Sequence, residues 1–218
     1  MRTIFTTSFG SLIILLLFGW TITSCSKNDL ADSTSLGEGK TQLSMKVNGE
    51  DWQSSLTTLL TEQQENTQGE IYFYLYISAH SIIDTNSATE EDLVETMGLY
   101  VAIPAQKFKD PKGVYPLVLK EFEVGTAWGI FNSDRALRAT TTYVSGDANH
   151  PDKQVGTLEI TSAEVGEQTV FGYPTGVEGY TKLSGTFSFD VYPLDGIGAK
   201  LNMTEGKFTI TEVFEFNL

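Results

Sequence analysis

Cysteine is almost missing from this chain: one thiol, Cys25, serves all 218 residues, which rules out a His–Cys metal site and a Cys–His nucleophilic pair in the folded body. Histidine is nearly as scarce, with His80 and His150 the only two. Composition leaves a Ser-His-Asp arrangement open, yet the chain has no G-x-S-x-G elbow. The stretch Gly196-Ile197-Gly198-Ala199-Lys200 lacks the spacing and the Ser/Thr of a phosphate loop and reads as a hairpin turn. Positive charge is short as well, 14 Lys and Arg against 28 Asp and Glu for a net charge of −14. Such a balance argues against nucleic acid as a partner, since phosphates reward a basic patch, and against lying flat on anionic lipid. A carboxylate pair for glycoside hydrolysis needs only a separation of about 5 to 9.5 Å, so an acidic chain stays compatible with that chemistry.

What is present begins at the amino end. Arg2, an apolar run from Leu12 to Phe18 and the approach Ile22-Thr23-Ser24 to Cys25 have the shape of a secretory signal peptide. The run is shorter than the roughly 20 residues a bilayer span needs, and Gly19, Thr21, Thr23 and Ser24 interrupt its continuation. A transmembrane anchor is therefore disfavoured. An ordinary signal cleaved without lipidation is the alternative, but the placement of the sole cysteine resembles the lipobox of bacterial lipoprotein precursors. The resemblance implies cleavage of residues 1–24 and acylation of Cys25, with palmitate-class chains anchoring the protein to the membrane. Residues 25–42 are polar, with glycine and serine and no apolar period, and read as a flexible tether. Within it Ser26-Lys27-Asn28-Asp29 resembles a Bacteroidetes surface-export signal with Asn28 breaking the acidic run, and Asp32-Ser33-Thr34 resembles that phylum's O-glycosylation sequon. The implied address is the outer membrane, facing the periplasm or exposed at the surface.

From Leu43 the pattern becomes β. Asn48-Gly49 between LSMKV and EDW supplies the positive φ angles of a type I′ hairpin. After a polar interval rich in Gln, Thr and Glu, Ile71, Phe73, Leu75 and Ile77 alternate with Tyr72, Tyr74, Tyr76 and Ser78, a period of two with an aliphatic and a phenolic face. Further runs follow at 98–103, 114–119, 126–131, 139–145, 155–161, 183–192, 199–204 and 206–218. Phe187, Phe189 and Val191 share one face of their run. In the last run Phe208 and Ile210 are in phase with Phe214 and Phe216, but Glu212 shares their parity, which a bulge near Thr211 or a strand end resolves. The only helical pattern is SATEEDLVETM, with Ser87 and Glu90 placed as a capping box. The reading is one antiparallel all-β domain over 43–218, a β-sandwich first and a closed β-barrel second.

The order V-N-G-x-x-W, Gly113-Val114-Tyr115, Tyr143-Val144-Ser145, G-x-L-x-I-T over 156–161, L-S-G-T-F-S-F over 183–189 and T-E-G-K-F over 204–208 resembles a family of uncharacterised Bacteroidetes envelope lipoproteins. These motifs read as turn glycines and core aromatics. The resemblance implies an all-β envelope domain and brings no catalytic residue with it.

Two places offer ligand chemistry. The tyrosine face Tyr72, Tyr74 and Tyr76, together with Phe171, Tyr173 and Tyr180 in the glycine-bearing loop 171–180, forms a candidate stacking platform for a glycan or a peptide; the competing reading is packing, for which strands favour aromatics anyway. Trp52 and Trp128 read as core or rim. Asp84, Asn86, Asp92 and Glu95 stand at the first, third, ninth and twelfth places of an EF-hand-like loop, so calcium is the one ion with a place, although Ala88 and Thr89 break the pattern and no cofactor is otherwise implied. The segment Asp147–Asp152 reads as a turn. The expectation is a lipid-anchored, non-catalytic binding or interaction module with a glycan or envelope-protein partner; the alternative is a carbohydrate-binding accessory protein or a carboxylate-dependent glycan hydrolase. Cells grown with labelled palmitate are expected to incorporate it into this protein, and Cys25→Ser to abolish incorporation and move the protein out of the membrane fraction.

Overall fold

The computed structural model describes residues 41–86, 91–119, 123–133, 141–146, 153–170 and 173–211, and only the backbone at 83–86, 91–93, 169, 170, 173 and 175. Cys25, the signal segment, all of the tether up to residue 40, His150, the Asp147–Asp152 segment and Glu212 with the aromatics that follow it lie outside these residues.

Strands dominate. They are β1 (Gln42–Val47), β2 (Glu50–Gln53), β3 (Leu56–Glu65), β4 (Ile71–Asn86), β5 (Glu91–Pro104), β6 (Gly113–Leu117), β7 (Ala127–Ser133), β8 (Thr141–Ser145), β9 (Gly156–Val170), β10 (Tyr173–Pro193) and β11 (Leu201–Ile210), with one 3₁₀ turn at Ala105–Lys107. They form a single sheet in the order β2-β1-β11-β10-β9-β6-β7-β5-β4-β3, with β8 pairing both β10 and β7. All ladders are antiparallel except the one-residue parallel contact of Leu117 in β6 with Ala127 in β7. The order has two end strands, β2 and β3, and the sheet doubles over so that its two halves share one core, the sandwich-like arrangement expected from the alternation. Trp52 of β2 meets Phe131 of β7 edge-on, ring centroids 6.3 Å apart, and the Tyr180 amide of β10 donates to Thr61 Oγ1 of β3 at 3.4 Å.

The inner faces explain the packing. Leu75, Ile77 and Ala79 of β4, Met97, Leu99, Val101 and Ile103 of β5, and Leu158 and Ile160 of β9 are all essentially sealed from water. Opposite them the core phenylalanines are seated on glycines of the neighbouring strand: Phe187 pairs with Gly206, Phe208 with Gly185 and Phe189 with Gly156. A Cβ at any of these glycines would overlap its partner phenylalanine. The motif glycines 185 and 206, read from sequence as turn residues, are instead mid-sheet positions across which an aromatic ring lies, while Gly156, at the start of β9, makes room for the backbone of Ser188 and Phe189. At 185 and 206 the glycine leaves a gap in the sheet and the ring fills it.

Local chemistry sets the connections. Asn48 and Gly49 adopt φ of 51° and 88°, so the expected β1–β2 hairpin forms, and Asn48 Oδ1 also accepts from the Asn202 amide at 2.8 Å. The stretch 194–200 is the expected hairpin turn between β10 and β11, with φ of 72° at Gly196 and Asp195 Oδ1 accepting from the Ile197 amide at 2.9 Å. A bulge at Glu205, with φ of 53°, joins the run expected at 199–204 to the start of that expected at 206–218 as β11, which ends at Ile210, the strand end expected as the alternative to a bulge near Thr211.

Three expectations are corrected. The helix over SATEEDLVETM is replaced from Glu91 onward by β5, because Glu95, Met97 and Leu99 alternate inward and pair in register with β4. The polar interval after Gln53 contains β3, whose inward positions are Thr57, Leu59 and Thr61. The loop 171–180 is from Tyr173 onward the start of β10, paired with β9.

Phe189→Ala is expected to lower unfolding free energy by roughly 3–5 kcal/mol through loss of burial and an unfilled core. Lys46→Ala, which removes an exposed ion pair to Glu205 at 2.9 Å, should leave unfolding free energy nearly unchanged. Urea denaturation of both variants checks the contrast.

Candidate functional site

The outer face of β3, β4, β5 and β7 carries the tyrosine row. Register brings Leu60, Tyr76, Tyr100 and Trp128 into one line across the four strands. The Tyr76 and Tyr100 rings stack at 4.4 Å with 14° between planes, Tyr100 and Trp128 lie 4.5 Å apart at 49°, and Tyr74 reaches Tyr100 diagonally at 5.5 Å. These spacings match the strand separation of about 4.8 Å, so the rings stand side by side on the sheet and turn their faces to one another. The face is therefore a ladder of ring edges rather than an open stacking platform. Next to it Gly98 provides the space into which Tyr76, Tyr100 and Ile130 lean; a Cβ there would come within 2.7 Å of Ile130.

Below the ladder runs a polar belt. Asn132 Nδ2 donates to Thr96 Oγ1 at 2.9 Å, Thr142 Oγ1 donates to Asn132 Oδ1 at 2.8 Å, and the His80 ring and Ser78 Oγ lie 3.2 Å apart. Burial lowers the His80 pKa and favours its neutral form. Leu56 and Leu60 remain 46% and 43% exposed at the β3 side. The Trp128 indole N–H, at the other side, is shielded from solvent and has no hydrogen-bond partner among the described residues.

The residues expected to bind a ligand divide. Tyr74 and Tyr76 belong to the ladder. Tyr72, next along β4, is 4% exposed, with its phenol pKa raised by burial. Tyr180 is corrected from ligand contact to core: it is fully buried, its hydroxyl donates to the Phe108 carbonyl at 2.9 Å, and its ring lies 5.3 Å from that of Phe108. Phe171 lies outside the described residues, and Tyr173 is described only as β10 backbone. Tyr100 and Trp128, the two ladder residues that the sequence reading left out of the site, become visible only through cross-strand register.

The EF-hand-like loop is not formed. Asp84 and Asn86 fall in β4 and Asp92 and Glu95 in β5, with Asp84 opposite Leu93 and Ser81 opposite Glu95. Glu95 points into the sandwich, 1% exposed, and accepts from Ser133 Oγ at 2.8 Å. Two paired strands replace the turn that a calcium loop requires, and among the described residues no three His, Cys, Asp or Glu side chains converge as a metal site.

No family model, no curated protein and no solved structure matches this chain.

Burial also raises the pKa of Tyr115, to about 12, and that of Tyr180 further. The Tyr115 hydroxyl donates to the Pro111 carbonyl at 2.7 Å, so ionisation would sacrifice a hydrogen bond as well as place a charge in the core. With folded pKa values above the unfolded value of about 10, both groups hold their protons in the folded state after the unfolded chain has lost them. Their contribution is complete below about pH 10 and is lost as pH rises beyond it. Unfolding free energy is expected to fall steeply above about pH 10, and less steeply in Tyr180→Phe, as measured by urea titrations at successive pH values.

Proposed function

We propose that this protein is a lipid-anchored cell-envelope binding module, one of the Bacteroidetes envelope lipoproteins its motifs resemble, held at the outer membrane through acylated Cys25 and acting without chemistry of its own. The observation that carries this reading is the outer face of β3, β4, β5 and β7. It combines a Tyr76-Tyr100-Trp128 ladder, exposed Leu56 and Leu60, and an indole N–H without an acceptor among the described residues. Aromatic residues with one polar end serve recognition because they bury large area at a small entropic cost while keeping a directional group at the rim. The net charge of −14 supports a partner that is not polyanionic, and a polar tether supports a domain that stands off the bilayer.

A photo-crosslinking residue placed at Thr58, on this face, in the full-length protein in living cells is expected to give discrete adducts. The same residue at Thr161, an exposed site on β9, serves as control. Adducts from Thr161 equal to those from Thr58 would remove the face as the site of binding.

A further inference from the structure

Where the tyrosine row reaches the end of β4, the outer surface opens into a cleft of about 770 Å³. One wall is the β3–β4 turn with Gln68 and Glu70, the other is formed by Pro104 and Gln106 after β5 and by Glu123 and Val124, and Tyr72 lies between them. Both walls are braced. Asn66 Oδ1 accepts from the Gln68 and Glu70 amides at 3.1 and 2.9 Å and its Nδ2 donates to Glu70 Oε2 at 3.1 Å. On the far side the Glu123 carbonyl accepts from both the amide and the hydroxyl of Thr126 at 3.1 and 2.7 Å. A cleft held in this way needs little ordering when a ligand enters.

We infer that this cleft binds a neutral saccharide. The inference rests on the reading of the protein as a binding module and gives that module a ligand class. Its volume lies within the range of about 300–1,000 Å³ usual for small-ligand sites. The chemistry of the lining selects among ligands. Carboxylates of Glu65, Glu70 and Glu123 only accept hydrogen bonds, the amides of Gln68 and Gln106 both donate and accept, and no Lys or Arg is among the described lining residues. A phosphate, sulfate or carboxylate ligand would meet three like charges in a protein already strongly acidic. An apolar ligand would strand the carboxylate and amide side chains of the lining away from water. A polyhydroxyl ligand donates to the carboxylates, exchanges hydrogen bonds with the amides, and lays its C–H faces on Pro104, Val124 and the Tyr72 ring. Tyr72 lines the cleft while more than nine-tenths buried, so its ring is already held in place before a ligand enters.

The test is an array of neutral, sialylated and sulfated glycans probed with purified full-length protein, followed by calorimetric titration of the best neutral oligosaccharide. Wild type is expected to retain neutral glycans in preference to acidic ones. Gln106→Ala combined with Glu123→Ala, both at exposed positions, should weaken binding at least tenfold at unchanged melting temperature, and Tyr72→Phe should weaken it severalfold. Preference for acidic glycans, or no glycan retained at all, overturns the inference. Neutral-glycan binding that survives the double variant but is lost in Tyr100→Ala also overturns it, while leaving the binding-module reading in place with its ligand on the ladder; in-cell adducts from Thr58 in a protein that retains no glycan would do the same in favour of a protein partner.

Discussion

A phenylalanine lying across a glycine of the adjacent strand is the contact on which this sandwich depends. Phe187 over Gly206 and Phe208 over Gly185 are direct cross-strand partners joining β10 to β11, and Gly156 lets β9 approach the Phe189 backbone, so that β9, β10 and β11 form the half of the sheet that the other half must cover. Glycine in a strand is weak by itself, since it adds backbone entropy to the unfolded chain and nothing to the packing. Under an aromatic ring that weakness disappears: the ring covers the exposed backbone and packs lower than any Cβ would allow. Gly129 extends the device to β7, where an added Cβ would come within 2.7 Å of the Phe189 ring. One phenylalanine thus links strands from both halves.

With the interior given to Phe187, Phe189, Phe208, Tyr180 and the aliphatic rows of β4 and β5, the proposed recognition falls to the outside. The outer surface divides the work along β4. In its middle the ladder of Tyr76, Tyr100 and Trp128 is rigid, because each ring is held by the next. At its end the rings give way to a cleft walled by amides and carboxylates. Tyr72 belongs to both regions, paired in register with Pro104 and Gln64 as the last position of the row and forming part of the cleft. The fold therefore sets a stiff aromatic surface beside a polar recess, and the strands that make one make the other.

Much of this was legible in the residue order, and the failures share a cause. Asn48-Gly49 announced its hairpin because two left-handed residues in succession have few other uses. The alternation from Ile71 to Ser78 announced β4 and its two faces. β3 escaped because its inward positions include Thr57 and Thr61, which fill core sites while hydrogen bonding as polar residues do. The segment before Met97 looked helical because Glu and Leu favour helices, yet register with β4 overrode propensity and turned Glu95 inward. Glycines at 176 and 179 suggested a loop, whereas Gly179 sits within β10, where the Gln168 side chain fills the place of a Cβ. Tyr180 followed from that error: an aromatic in a supposed loop looks available, while one in β10 is core. Tyr100 and Trp128 each sit in a short run without a conspicuous pattern, and only the pairing of β5 with β4 and β7 places them beside Tyr76.

The glycine–phenylalanine dependence is open to direct measurement by a double-mutant cycle on Gly206 and Phe187 in urea, because the atoms nearest an added Cβ at Gly206 all belong to the Phe187 ring. Gly206→Ala alone is expected to cost roughly 1–3 kcal/mol, since the new methyl must displace the ring. In the Phe187→Ala background the same substitution should cost far less, giving a coupling of at least about 1 kcal/mol. Additivity of the two substitutions within about 0.5 kcal/mol would contradict the account, because rings and glycines would then be neighbours without being partners.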